Sequence, residues 1–136
     1  MLIHAAAHSD AFKAIVSEGA SGQSIRDQLD NVSTRDAILG FAPVTVATAL
    51  FTSALPPRRL KSEVARIAPA ASFYVYGEHG QGGTETQPNK RFYAAAREPK
   101  QIWEVPNGQH IAGITTAPAE YERRVIGFLD DHLLGD

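Results

Sequence analysis

The stretch from Ser72 to His110 constrains the fold of this chain more than any other part of it. Ser72-Phe-Tyr-Val-Tyr76 is rich in the aromatic and β-branched side chains that pack well on a pleated sheet, and it reads as a strand. A glycine-rich loop follows, Gly77-Glu-His-Gly-Gln-Gly-Gly83. Pro88 suits the first turn of a helix, where its missing N–H leaves no bond unmade, and the helix is predicted from about Pro88 to Arg97 with Phe92 and Ala95-Ala96 on one face. Lys100 to Val105 is predicted as a second strand, ending in the tip Pro106-Asn-Gly-Gln-His110. Two strands joined through a helix are parallel neighbours, because a parallel pair needs a crossover of that length. The class is therefore α/β.

The other segments extend this unit. Phe12 to Ser17 is an apolar run between Asp10 and Glu18-Gly19 that suits a buried strand, preceded by Met1 to His8, which reads as the end of a helix. Gly19 and Gly22 open a turn, and Ser24 or Ser33-Thr34 can cap the helices that follow by accepting first-turn amides. Thr34 to Leu55 is predicted as two helical pieces broken near Pro43 and ended by Pro56-Pro57, and Leu60 to Ile67 as a further small helix. Pro118 starts a last helix in which Tyr121, Val125, Phe128, Leu129 and His132 or Leu133 keep helical spacing, with Gly135 where a C-terminal cap belongs. No repeat, low-complexity tract or linker interrupts the chain, so residues 1–136 are one domain or part of one.

Composition narrows the function. A formal charge of −2, with 13 basic residues gathered in nothing larger than Pro56-Pro-Arg-Arg-Leu-Lys61, provides no basic stripe for nucleic acid. The absence of cysteine excludes disulfides, thiolate metal sites and a thiol nucleophile. Met1 to His8 has no positive flank and too short an apolar core for a secretory signal, which makes the cytoplasm the expected compartment. Ile38 to Leu55 is an uncharged stretch of 18 residues, but Gly40, Pro43, Thr45, Thr48, Thr52 and Ser53 dilute it, so buried helix is preferred to a membrane span.

His110 is the residue with chemistry to offer. It follows a strand through a tight turn and precedes a helix, which sets an imidazole at the carboxyl end of the sheet, where open α/β sheets form their sites. Trp103-Glu-Val-Pro-Asn-Gly-Gln-His110 and Pro118-Ala-Glu-Tyr-Glu-Arg-Arg-Val-Ile-Gly-Phe-Leu-Asp130 resemble the last part of bacterial α/β-hydrolases of the esterase and dienelactone-hydrolase-like type. Ala14-Ile-Val-Ser-Glu-Gly-Ala20, and Pro56-Pro57 before a short helix, are similar to the preceding segments of the same group, so the resemblance covers nearly the whole chain. It implies a partial α/β-hydrolase fold: three parallel strands, flanking helices, and a helical cap over about residues 21–67 that sets substrate size.

The resemblance also implies roles. His110 would be the general base that takes the proton of a serine and returns one to the leaving group. The acid partner of such a histidine commonly stands at Gly-x-x-Asp after the strand, yet here Gly77 is followed by Glu78-His79-Gly80, so a glycine fills the slot. Glu78 and Glu85 flank it and are the candidate acids, with Glu18 a third, at the end of the earlier strand. No Gly-x-Ser-x-Gly nucleophile turn occurs. The nearest match, Gly19-Ala-Ser-Gly22, lacks the spacer after Ser21, and the reading preferred is that Met1 lies a few residues past the elbow.

Three further features carry less. His4 and His8 stand at i, i+4 as metal ligands can, but with no Glu between them and no third ligand in view they read as helix-surface histidines. The Gly77–Gly83 loop matches neither dinucleotide nor P-loop spacing and reads as a connection. Phe41, Phe51, Phe73, Tyr74, Tyr76 and Trp103 suit core or cap packing rather than base stacking. The function expected is hydrolysis of an ester, thioester or lactone-like acyl bond in a small-molecule substrate by a Ser-His-acid mechanism, without cofactor or metal. The alternative is a non-catalytic α/β module that pairs with a partner, or with a second copy, through an exposed sheet edge.

Overall fold

The structure is a computed structural model and describes residues 2–22, 27, 33–52 and 58–134. In chain order its elements are Leu2–Ala6 (α1), Ala14–Glu18 (β1), Thr34–Thr52 (α2), Leu60–Val64 (α3), Ala71–Gly77 (β2), Thr86–Ala95 (α4), Lys100–Val105 (β3), Gly113–Thr116 (α5) and Pro118–Leu133 (α6). The strands form a three-stranded sheet in the order β1-β2-β3 with both pairs parallel. Ile15 lies beside Ser72 and Ser17 beside Tyr74, while Phe73 lies beside Gln101 and Tyr76 beside Glu104.

β2 is the strand that was most legible, and it is buried at every position. A strand buried on both faces alternates its side chains between two apolar layers. Tyr74 points into a core with Ile3, Ile15, Leu60, Val64 and Phe92, which brings α1, α3 and α4 onto one face. Phe73 and Val75 point the other way, against Trp103, Val105 and Phe128, where α6 covers the sheet. The Phe73 and Phe128 rings stand 5.3 Å apart between centroids in a tilted pair. Truncating either ring to alanine removes a packed aromatic worth about 3–5 kcal/mol.

Two sequence expectations need correction. α2 is one helix with Pro43 inside it, not two pieces. Pro43 is exposed, so the bond its ring removes falls on the solvent side, where water can take the freed carbonyl. Ser33 caps this helix as expected, accepting the Asp36 N–H at 3.2 Å while its hydroxyl donates to the Asp36 carboxylate at 2.6 Å. The helix is also not buried as expected: Ile38, Leu39, Val44 and Val46 are exposed, as are Leu50 at 76% and Phe51 at 89%. Ser24, Pro56-Pro57 and Gly135 lie outside the described residues. Among the described residues no helix is long and apolar enough to cross a membrane.

Candidate functional site

The sheet's hydrogen-bond ladder continues past the strand ends and draws three loops together. After β1, the Gly19 N–H donates to the Val75 carbonyl at 2.9 Å. After β2, the Glu78 N–H donates to Val105 O at 3.1 Å and the His79 N–H to Gly108 O at 2.9 Å, which zips the loop after β2 to the loop after β3. The tip after β3 turns tightly, with the Gly108 N–H donating back to Val105 O at 3.0 Å and Asn107 and Ile111 at φ 57° and 52°. Positive φ in a β-branched residue such as Ile111 is costly backbone, held only where the surroundings demand it. His110 sits between these two residues at the carboxyl rim of the sheet.

Its partner is Glu85. The His110 Nδ1 meets Glu85 Oε1, with the glutamate side chain wholly buried and the histidine side chain 40% exposed. An ionised carboxylate only accepts, so in a hydrogen bond to one Nδ1 is the donor. The amide nitrogen of Gln81 lies 3.5 Å from the same Nδ1. Gly19 closes the arrangement from below: its φ of 64° and the 2.9 Å that would separate a Cβ from the His110 ring both require glycine.

The other predicted acids are occupied elsewhere. Glu78 accepts the Asn107 N–H at 2.8 Å and braces the tip, without reaching the imidazole. Glu18 accepts the Gly113 N–H at 2.7 Å and the Tyr121 hydroxyl at 3.0 Å, tying the end of β1 to the segment that follows His110. Burial, reinforced by the charge of Glu18 and this hydrogen bond, raises the Tyr121 hydroxyl above its ordinary pKa, so it remains a protonated donor.

Sequence reasoning missed Asn89. Its side chain is fully buried and its amide donates to Ala20 O at 3.1 Å and to Glu85 O at 2.9 Å, fastening the loop after β1 to the residue that carries the acid. The available signal was its spacing, since Asn89 and Phe92 share the buried face of α4 and a polar residue on an apolar stripe needs a partner.

A pocket of about 280 Å³ opens over this rim, lined by Ile3, Glu18, Ser21, Leu60, Gln81 and His110 among others. Ser21 thus shares a pocket with His110, although no hydrogen bond joins the two. A larger cleft of about 620 Å³, lined by His8, Lys13, Ala70 and His132, lies where β1 and β2 begin, the end of the sheet at which parallel strands do not present their carboxyl termini. His4 and His8 turn inward to Glu63, with His8 Nε2 2.5 Å and His4 Nδ1 3.7 Å from Oε2. Among the described residues no group of three ligating side chains is arranged to hold a metal ion.

No family model and no curated protein matches the sequence. Solved structures do. The α/β hydrolase GrgF from Penicillium sp. sh18 superposes with a TM-score of 0.63 at 14% identity, over 97% of this chain and 60% of that one. The fold is that of part of an α/β-hydrolase. Hypothetical protein PA2218 from Pseudomonas aeruginosa matches with a TM-score of 0.55 at 18% identity, over 96% of this chain and 57% of that one. MGS-MChE2, an α/β hydrolase enzyme from a lagoon-sediment metagenome of Mar Chica, Morocco, matches at 0.53 and 15% identity, over 88% and 50%. The chain therefore spans 60% or less of the length of each of these structures. At the rim of this sheet His110 thus turns one ring nitrogen to a buried carboxylate and lines a pocket, an arrangement that suits proton transfer.

Proposed function

We propose that residues 1–136 supply the base and acid of a serine-dependent acyl hydrolase, with His110 as base and Glu85 as acid, acting on an ester, thioester or lactone-like bond. The observation that carries the reading is the His110–Glu85 contact at the carboxyl rim of a parallel sheet. In this scheme a serine hydroxyl attacks the acyl carbon while His110 Nε2 takes its proton, and the same proton passes to the departing alcohol or thiol. Water then attacks the acyl-enzyme, His110 takes one proton from it, and the serine leaves with that proton restored. Glu85 holds the tautomer and offsets the charge of the imidazolium formed in each step. Residues 1–136 contain no Gly-x-Ser-x-Gly turn, so in this scheme the serine would come from outside them.

The test is hydrolysis of short p-nitrophenyl esters and acyl thioesters by two polypeptides. One is the 136-residue chain, and the other is that chain extended in frame upstream of the Met1 codon through such a turn. The extended form is expected to turn over and to lose about 10²- to 10⁴-fold in His110→Ala. The 136-residue chain is expected to stay at background. Turnover that ignores His110→Ala sinks the reading. Ser21 merits a second reading because it lines the same pocket: turnover by the 136-residue chain, abolished in Ser21→Ala, would make Ser21 the nucleophile.

A further inference from the structure

Gly80 has no conformational reason to be glycine. The residues after it, Gln81, Gly82 and Gly83, all lie at positive φ, whereas Gly80 does not. What a side chain there would meet is its neighbour. A Cβ on Gly80 would overlap Oε2 and Cδ of Glu85, and would stand 3.0 Å from Oε1, the oxygen that meets His110. The Glu85 carboxylate thus fills the volume into which a side chain at position 80 would grow. Glu85 Oε2 is buried and accepts no hydrogen bond from the described residues, so among these the carboxylate is held by the space beside Gly80 and by its contact with Nδ1.

We infer that Gly80 is a positioning residue: the empty side-chain volume at position 80 is the seat of the carboxylate that orients His110, and a carboxylate attached at 80 can replace the one attached at 85. The inference rests on the reading of His110 and Glu85 as a pair. Geometry supports the exchange in both directions. An aspartate oxygen lies two bonds beyond Cβ, ~2.4 Å on standard bond lengths, which spans most of the 3.0 Å from the Gly80 Cβ position to Oε1. Conversely, a Cβ at 80 forces the Glu85 carboxylate out of its place, because Oε2 would overlap it.

The experiment uses the full chain as wild type, Glu85→Ala, Gly80→Ala, Gly80→Ala/Glu85→Ala and Gly80→Asp/Glu85→Ala. The imidazole nitrogens and the Nδ1-bound proton of His110 are followed by NMR, with thermal unfolding as a check of the fold. The wild type is expected to show a downfield Nδ1 proton that is lost in Glu85→Ala and equally in Gly80→Ala. In Gly80→Asp/Glu85→Ala the signal is expected to return. The two alanine substitutions together should lower Tm by less than the sum of their separate effects, because each already empties the same seat. A signal that persists in Gly80→Ala overturns the inference, as does a folded Gly80→Asp/Glu85→Ala protein without it. If that variant does not fold, additive Tm losses in the alanine pair overturn it. A signal unchanged in Glu85→Ala overturns instead the pairing on which the inference rests.

Discussion

The molecule holds two buried glutamates, each facing a histidine, and only one of these two pairs stands at the carboxyl rim of the sheet. Glu63 and Glu85 have side chains 1% and 0% exposed, and their partners His8 and His110 are 44% and 40% exposed. Glu63 and His8 join α3 and the segment just after α1, two helices of five residues each, with His4 of α1 on the same side. Helices that short are not stable alone, and a buried link between them is a sufficient reason for the pair. Glu85 and His110 join two loops instead, amid Gln81, Asn107 and Ile111 at positive φ and over a glycine that touches the ring. Regular backbone around one pair and strained backbone around the other is the difference that matters. A Glu-His contact is cheap to find, whereas backbone held in costly conformations around one is a reason to test it for function.

The sharpest break between the pairs should come from amide substitutions in a polypeptide competent for turnover. Glu85→Gln leaves the shape but no longer dictates which nitrogen of His110 bears the proton, and kcat is expected to fall by up to about 10⁴-fold. Glu63→Gln should leave kcat unchanged. Equal losses in the two variants would erase the distinction. In stability the pairs should instead behave alike. His8→Ala removes the nearer partner of the buried Glu63 carboxylate, leaving His4 at 3.7 Å, and is expected to cost about 1–3 kcal/mol in urea unfolding. His110→Ala strands Glu85 in the same way and should cost a similar amount. The comparison thus separates function from stability, which a single deletion cannot.

Asn89 offers a smaller and more local probe. Asn89→Ala removes one buried and one part-buried hydrogen bond and is expected to destabilise by about 1–3 kcal/mol. Because one of those bonds holds the Glu85 carbonyl, the His110 Nδ1 proton signal should weaken while the Glu63–His8 pair is untouched. Loss of stability with no change at His110 would make Asn89 a brace for α4 alone.

What was legible in the sequence divides along the same line. Strand β3 was read with its observed bounds, β2 to within a residue at each end, and the start of α6 at Pro118, because aromatic and β-branched runs and helix-start prolines act locally. β1 was read early, at Phe12 to Ser17 instead of Ala14–Glu18, because Phe12 packs on the same core without pairing in the sheet. Pro43 was read as a break because a sequence does not say which side of a helix faces water. At the site, His110 was visible from its turn and neighbours. Which glutamate meets it was not, since that depends on the left-handed path through Gln81 to Gly83 and on the room left by Gly80, both properties of a folded loop. Asn89 required knowing that a stripe on α4 faces the β1 loop.

Glu18 is the third carboxylate at this rim and tests how local the histidine's environment is. It bonds the Gly113 N–H and the Tyr121 hydroxyl and makes no bond to His110. In Glu18→Gln the charge that helps burial to raise the Tyr121 pKa is gone, so tyrosinate absorbance at this residue should develop at lower pH. The sign for stability follows from proton counting. A phenol whose pKa is raised on folding above the ordinary 10.0 keeps its proton longer folded than unfolded, so the stabilisation is complete below pH 10 and is lost as pH climbs through the folded value. Glu18→Gln should make that alkaline decline shallower, a small effect that difference titration against the wild type can resolve. The Nδ1 proton of His110 should be unmoved. If it moves, Glu18 acts on the imidazole through the Gly113 segment, and the site is a chain of two carboxylates instead of one isolated pair.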